Sequence, residues 1–504
     1  MVRKIFNIIM TKEVAYIMNF VTKITKNHII NTIIIAIAAI ILLVSLFINP
    51  IIGKHDNGDF GRLMIYGGID NLSNAYKDIY DGFLHIKYST NPLNVLLLFY
   101  NDWTSCSIPV KISVILFLIL HKFTGNLFDI RYLSFVYSIL FLMGLYLIIN
   151  FKKLSTSLKI ICGSYMILFF TSTCYVEYFN SFFEEAGTIV FFLLCIGTYL
   201  NLIEKSKPQK RDFVYFFIAS AFFLTAKAQN LPMLPFMLII YLSLYLVYNK
   251  KKLILTSSIF VIFLCIISYF SLTKVMNENN IYQSVFSGVL RDSKTPTKDL
   301  TELGLDKKLV VFKGHSFYNK NNGLDPLSNN MLKNFYPNIS NWKILFFYLK
   351  HQDRMWQKIV DASNSNYRLD KPYSGNFAKG QYSKNKHLNT FRSFLISKFP
   401  YIHHNVYLFI IFSLIYFTTS VIYAIKSKDV SIKLLNLMLI FILITGSSQF
   451  ILPVIGAGHG DFSKHLFLLN FSYDIMFGVA LLWFSHIISN IFLFHKHNNY
   501  FTNK

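Results

Sequence analysis

Apolar residues in this chain fall into long blocks separated by short polar linkers. Each block approaches the ~20 residues that carry an α-helix across a bilayer. The first runs from Ile29 to Ile52, and others lie near 131–151, 160–176, 183–203, 213–227, 231–249, 252–272, 404–425, 432–452 and 466–490. The pattern predicts an all-α polytopic membrane protein. The first block is longer than the roughly 7–15 apolar residues of a signal peptide and has no small-residue cleavage site behind it, so it is expected to remain as a membrane helix. Ahead of it, residues 1–28 carry Arg3, Lys4, Lys12, Lys23 and Lys26 around an interrupted apolar stretch and read as a cytoplasmic interfacial segment.

The linkers give a direction to each crossing. Lys152, Lys153 and Lys159, the run Glu204–Arg211, the run Asn249–Lys252 and the run Lys426–Lys433 share one side if the spans alternate, and positive charge marks that side as cytoplasmic, with both termini. Strict alternation makes 131–151 enter from outside. The apolar segment Ile108–Leu120 must then either not cross or pair with 93–105, and a re-entrant or interfacial hairpin is expected there, with Leu93–Tyr100 along the membrane surface. Two polar segments fall outside: a first loop over 53–105 and a loop domain over 273–403, too long to be a mere connection. Turn signals in the latter (Asp325-Pro326, Tyr336-Pro337, Lys371-Pro372, Ser374-Gly375) alternate with periodic stretches such as Asn341–Trp356, which predicts a small, mostly helical cap. The chain thus divides into an N-terminal transmembrane module (29–272), the loop domain and a C-terminal transmembrane module (404–504).

Composition narrows the class. The 504 residues are 54% hydrophobic and 15% charged, with a formal net charge of +24. Such a charge could serve nucleic acid, but the lysines stand in short clusters between apolar blocks rather than on one soluble basic face, so nucleic acid is excluded as a partner and anionic membrane lipid is favoured. Five cysteines (Cys106, Cys162, Cys174, Cys195, Cys265) show no paired spacing and indicate neither a disulfide framework nor a zinc site.

Four polar groups land on the outer side by this topology. His55, Asp56, Asp59 and Arg62 follow the first span in "HDNGDFGR"; Glu177, Glu184 and Glu185 lie in "CYVEYFNSFFEEAG"; Lys227 and Gln229 lie in "TAKAQN"; His459, Asp461, Lys464 and His465 lie in "GAGHGDFSKH". A charged group at a helix centre costs about 2.5–3.5 kcal/mol on insertion scales, less toward the ends, so such groups are usually paired or functional. Carboxylates that take a proton or hold a metal, beside cations that clamp a phosphate, fit the convergence. Each group has a plainer reading: Asp56 as a turn and helix cap, Glu184 and Glu185 as a helix N-terminus, Lys227 snorkelling to headgroups, and His459 with Lys464 in a flexible glycine-rich loop.

The acidic motif directly after the first span, the second acidic group and the large loop resemble the GT-C superfamily of integral-membrane glycosyltransferases. More narrowly, "HDNGDFGR", "FNSFFEE", "AKAQN", "LGLD" at 303–306 and "GHGDFSKHLFLLN" resemble the WsfD-like hexosyltransferases of bacterial surface-glycan biosynthesis. The resemblance implies a GT-C-like helix bundle and a polyprenyl-phosphate-linked sugar donor, with transfer of a hexose to an extracytoplasmic cell-surface glycan acceptor at an outward-facing site in the cell membrane. It makes Asp59 the first-loop acid, with Asp56 next, and Glu184 or Glu185 the second-loop acid. Arg62, Lys227, Lys464 and His465 would bind the donor phosphate, with His55, Gln229, His459 and Asp461 in the same substrate site. The chain has neither a clean Asp-Glu nor an Asp-X-Asp pair, so a divalent cation is compatible but not required. Two rivals stand beside this reading: a lipid-linked glycan transporter or flippase, and a glycan polymerase or ligase. A transporter predicts repeat symmetry and broken helices at matching positions in two halves, and neither is visible in the sequence.

Overall fold

The computed structural model describes residues 28–318, 324–365, 376–383, 386, 388, 390–458 and 462–502. The segment 1–28 read as interfacial thus falls almost wholly outside the described residues. Among those described, nine helices are long and apolar enough to cross a membrane. They are His28–Phe47, Ser107–Thr124, Arg131–Ile149, Glu184–Ile203, Ala228–Val247, Lys251–Phe270, Val406–Lys426, Val430–Ala457 and Phe467–Asn490. The block expected as a span near 160–176 forms Thr156–Phe170 and Thr173–Asn180, which together are long and apolar enough to cross and are bent by 64° at their break. The block near 213–227 becomes the 16-residue helix Lys210–Thr225.

Glu184–Ile203 is the centre of the bundle, buried along nearly its whole length. Its glycine positions explain how tightly it packs: a Cβ on Gly197 would come within 2.7 Å of the Leu147 side chain, so the helix Arg131–Ile149 lies almost backbone to backbone against it. On another face Phe192 stacks on Phe223 with ring centroids 4.3 Å apart.

The two ends of the bundle differ in chemistry. At one end Asn31 donates to Asn150 (3.1 Å), Lys152 pairs with Glu204 (3.6 Å), Lys205 with Asp212 (2.7 Å), and Lys153 with Asp429. The basic linkers named from the sequence therefore meet at one end. Residues 51–62, 177–185, 225–229 and 464–465 meet at the other.

That second end also holds the helix Ser107–Thr124. It begins at Cys106, whose Sγ reaches the carbonyls of Ala226 (3.2 Å) and Glu184 (3.7 Å). It finishes at Thr124, whose hydroxyl bonds Tyr132 (2.6 Å) in the first turn of Arg131–Ile149. Both its ends thus lie against the same end of the bundle, and one continuous helix replaces the expected hairpin. Three short strands in the same region, Ile69–Asp70, Lys87–Thr90 and Phe128–Asp129, form a small antiparallel sheet in that order, which the helical periodicity concealed.

The loop domain has its own core. Tyr282, Phe286, Phe312 and Phe335 pack edge to face and tilted, with centroid separations of 4.6–6.4 Å. This core continues into Phe409, Phe450, Leu469 and Tyr473 of the last three spans, which seats the cap directly on the bundle. Its helix Phe391–Lys398 carries Arg392, 2% exposed, into the bundle. There it pairs with Asp474, which also accepts the Tyr175 hydroxyl at 2.6 Å.

Candidate active site

The loop after the first span is set by two contacts. Asn180 donates to the carbonyls of Leu46 (3.0 Å) and Ile52 (2.8 Å), pinning the chain on both sides of the turn. Gly53 then passes so close that a Cβ there would lie 2.7 Å from the Asn180 carbonyl oxygen, which no other residue tolerates. Asp56 closes the next turn, accepting N–H bonds from Gly58 (2.8 Å) and Phe60 (3.3 Å). Burial pushes the Asp56 carboxyl above its ordinary range, against the pull of those two bonds. Phe60 seats the turn edge-on against Phe182 (5.5 Å) and Phe183 (4.8 Å), the residues just before Glu184. The following helix Gly61–Gly67 carries Arg62.

This packing assembles a chain of ions. Glu184 lies 3.9 Å from Arg62, Arg62 lies 2.9 Å from Asp59, and Asp59 also meets the Lys464 ammonium. Lys464 stands over the Phe183 ring at 4.5 Å and its side chain is only 13% exposed. Burial pushes its ammonium down to about 7, with the Asp56 carboxylate pulling the other way. Two acids and two cations thus alternate across three separate parts of the sequence: the loop after the first span, the head of the central helix, and the turn before the last span.

The remaining candidates flank this chain. Glu185 pairs with Lys227 (2.6 Å), whose side chain is mostly buried. Gln229 donates to Gln449 and to the backbone carbonyl of His465 (2.7 Å), so His465 helps fix the floor through its main chain. His55 is half-buried beside Asp56. His459 and Asp461 lie outside the described residues. Among the described residues no three His, Cys, Asp or Glu side chains gather as a metal-binding group. The described acids of the ion chain face cations, and Asp56 faces backbone amides.

The sequence matches the family described as the YfdI N-terminal transmembrane domain over residues 17–501. The chain belongs to this family. A search of curated proteins gave no match. Among solved structures, similarity extends to the oligosaccharyltransferase AglB of Archaeoglobus fulgidus in complex with an inhibitory peptide and a dolichol-phosphate, at 11% identity and a TM-score of 0.39. That alignment covers 92% of this chain and 51% of the other. A second structure of an A. fulgidus oligosaccharyltransferase, tethered with an acceptor peptide, aligns at 11% identity and a TM-score of 0.37 over 90% of this chain and 49% of its own. The chain spans about half the length of these proteins.

In this YfdI-family chain a buried pair beside the site escaped the sequence reading. Lys54 lies against Glu177 and stands over the Tyr178 ring at 4.9 Å, with side chains 7% and 1% exposed. Glu177 stood out in its motif, but Lys54, the last residue before His55, resembles any lysine ending an apolar block. Its partner is visible only once Asn180 folds the loop back. Gln449 was hidden for a similar reason: a polar residue at the end of an apolar block carries no mark that it will meet Gln229.

Proposed function

We propose that this chain is a GT-C-type glycosyltransferase that moves a hexose from a polyprenyl-phosphate donor to an extracytoplasmic cell-surface glycan acceptor. The observation that carries this reading is the alternating ion chain Glu184–Arg62–Asp59–Lys464 at one end of a membrane bundle. A phosphate on a lipid arrives at that depth with its isoprenoid among the helices, and Arg62 and Lys464 are the cations placed to receive it. Charge-assisted bonds to phosphate are roughly twice as strong as neutral ones, and more so where water is scarce.

The same arrangement accounts for control of the base. With both cations on its carboxylate, Asp59 is a poor proton acceptor. When they turn to the donor phosphate, Asp59 regains basicity beside the acceptor. The acceptor hydroxyl oxygen then forms a bond to the anomeric carbon as that carbon's bond to the phosphate oxygen breaks. The proton passes to Asp59, and the electron pair leaves with the polyprenyl phosphate, whose charge Arg62 and Lys464 offset. Direct displacement inverts the anomeric centre. Glu184 orients Arg62, and Asp56 holds the turn. Lys227, Gln229, Glu185 and His465 form the flank of the site, with His55 at its edge and His459 and Asp461 assigned to the same mouth by their place in the sequence.

The test is transfer of labelled hexose from a polyprenyl-phosphate donor in membranes containing the chain. Asp59→Asn is expected to abolish transfer at unchanged expression, and wild-type-like transfer by this variant removes Asp59 as the base. Glycan analysis of a deletion strain names the acceptor: loss of one sugar from a surface polymer that is otherwise intact supports the reading, and loss of the whole polymer with lipid-linked glycan accumulating favours a flippase.

A further inference from the structure

Between the strands Ile69–Asp70 and Lys87–Thr90 the chain makes a short excursion with the helix Tyr76–Ile79. Tyr76 and Tyr80 hold their rings 4.7 Å apart, tilted by 54°, and they are 76% and 38% exposed. The next polar residues are a pair, His85 and Asp81, with Nε2 and Oδ1 3.2 Å apart and both partly open to solvent.

This ledge is joined to the candidate active site. Leu84 donates to the carbonyl of Phe377 (3.0 Å), and its side chain lies 2.7 Å from where a Gly53 Cβ would stand. Tyr88 is edge-on to Phe182 (5.2 Å), the ring that also meets Phe60. The Asp56 charge reaches Tyr80, whose phenol is pushed up by burial and then by that carboxylate.

Bare rings beside a membrane often mark the lipid interface. This segment is unsuited to that role: between residues 70 and 85 it carries Asp70, Asp78 and Asp81 against one lysine, Lys77, and no arginine, an acidic stretch in a chain of net charge +24. Anionic headgroups repel it. A pyranose suits it. One face of the sugar ring presents C–H groups with partial positive charge to the negative face of an aromatic ring, and the hydroxyls around its rim need acceptors and donors of the kind Asp81 and His85 supply.

We propose that Tyr76 and Tyr80, with Asp81 and His85, form a carbohydrate subsite that stacks one pyranose of the glycan substrate beside the Asp59 ion chain. The assignment of that sugar to a transfer reaction rests on the function proposed above, but the binding itself does not. The test uses the purified full chain in lipid nanodiscs and saturation-transfer NMR with methyl glucoside, galactoside, mannoside and N-acetylglucosaminide. At least one of these is expected to receive saturation on its ring protons. The signal should fall at least fivefold in Tyr76→Ala/Tyr80→Ala and be retained in Tyr76→Phe/Tyr80→Phe, since stacking needs the ring and not the hydroxyl. No signal with any of the four, or equal signals in wild type and the double alanine variant, overturns the proposal. Should the wild-type chain transfer no hexose from a polyprenyl-phosphate donor while ring-dependent binding persists, the donor reading falls and the subsite stands.

Discussion

Arg62 stands 3.9 Å from Glu184, a contact that ties the turn after the first span to the head of the most buried helix of the bundle. Arg62 also reaches Asp59 at 2.9 Å, so the carboxylate of Glu184 decides whether the guanidinium rests on Asp59 alone or is shared.

Glu184→Gln removes the charge and keeps the shape. Arg62 then settles fully on Asp59, which lowers the basicity of that carboxylate and turns the guanidinium from the donor. Transfer is expected to drop about 10- to 100-fold in kcat, the equivalent of ~1.4–2.7 kcal/mol of transition-state stabilisation. Donor titrations in membranes measure it. An unchanged kcat denies Glu184 any part in positioning Arg62.

Lys464 supplies a pH signature. Its ammonium, pushed down to about 7 by burial, loses charge as pH rises through that value. If the charged form receives the donor phosphate, kcat/KM for donor should fall on the alkaline side of about pH 7. Arginine stays protonated above pH 12. Lys464→Arg should therefore carry the alkaline limb to higher pH while lowering the plateau through its different reach. Coincident pH profiles for the two proteins remove Lys464 from donor binding.

The buried pair of Lys54 and Glu177 is expected to act on stability rather than on chemistry. Breaking a buried ion pair by removing one partner costs about 3–5 kcal/mol, whereas replacing both by apolar residues of similar volume is often neutral. Lys54→Met and Glu177→Gln should each lower the melting temperature of the purified chain, and Lys54→Met/Glu177→Met should recover most of the loss. A double variant as unstable as the sum of the singles means that the two side chains do not act as a pair.

The sequence made the bundle legible because a span must satisfy its backbone within itself, which writes ~20-residue apolar blocks into the chain. It also marked Asp59, Arg62, Glu184 and Lys464, since charges beside apolar blocks stand out. Their pairing was not legible. Nothing in "HDNGDFGR" announces that Phe60 will seat against Phe182 and Phe183 and so bring Arg62 to Glu184. The segment Ile108–Leu120 was expected in a hairpin because strict alternation forbade a single crossing, and only the contacts of Cys106 and Thr124 show that one continuous helix, Ser107–Thr124, has both its ends at the same end of the bundle. The three short strands were invisible because two-residue pairings carry no period of their own.

Orientation completes the functional argument and has its own test. The five native cysteines are buried, so engineered ones report against a low background. Lys77 is exposed on the ledge near the ion chain, and Lys428 is exposed beside the Lys153–Asp429 pair at the other end. Positive charge gathers at that other end, with Lys152, Lys153 and Lys205 among its ion pairs, and loops so charged stay cytoplasmic. A membrane-impermeant thiol reagent should therefore label Lys77→Cys in intact cells and Lys428→Cys only after permeabilisation. The reverse pattern would place Asp59 and its cations in the cytoplasm, where an extracytoplasmic acceptor cannot reach them, and the proposed transfer reaction would have to be abandoned even with the ion chain intact.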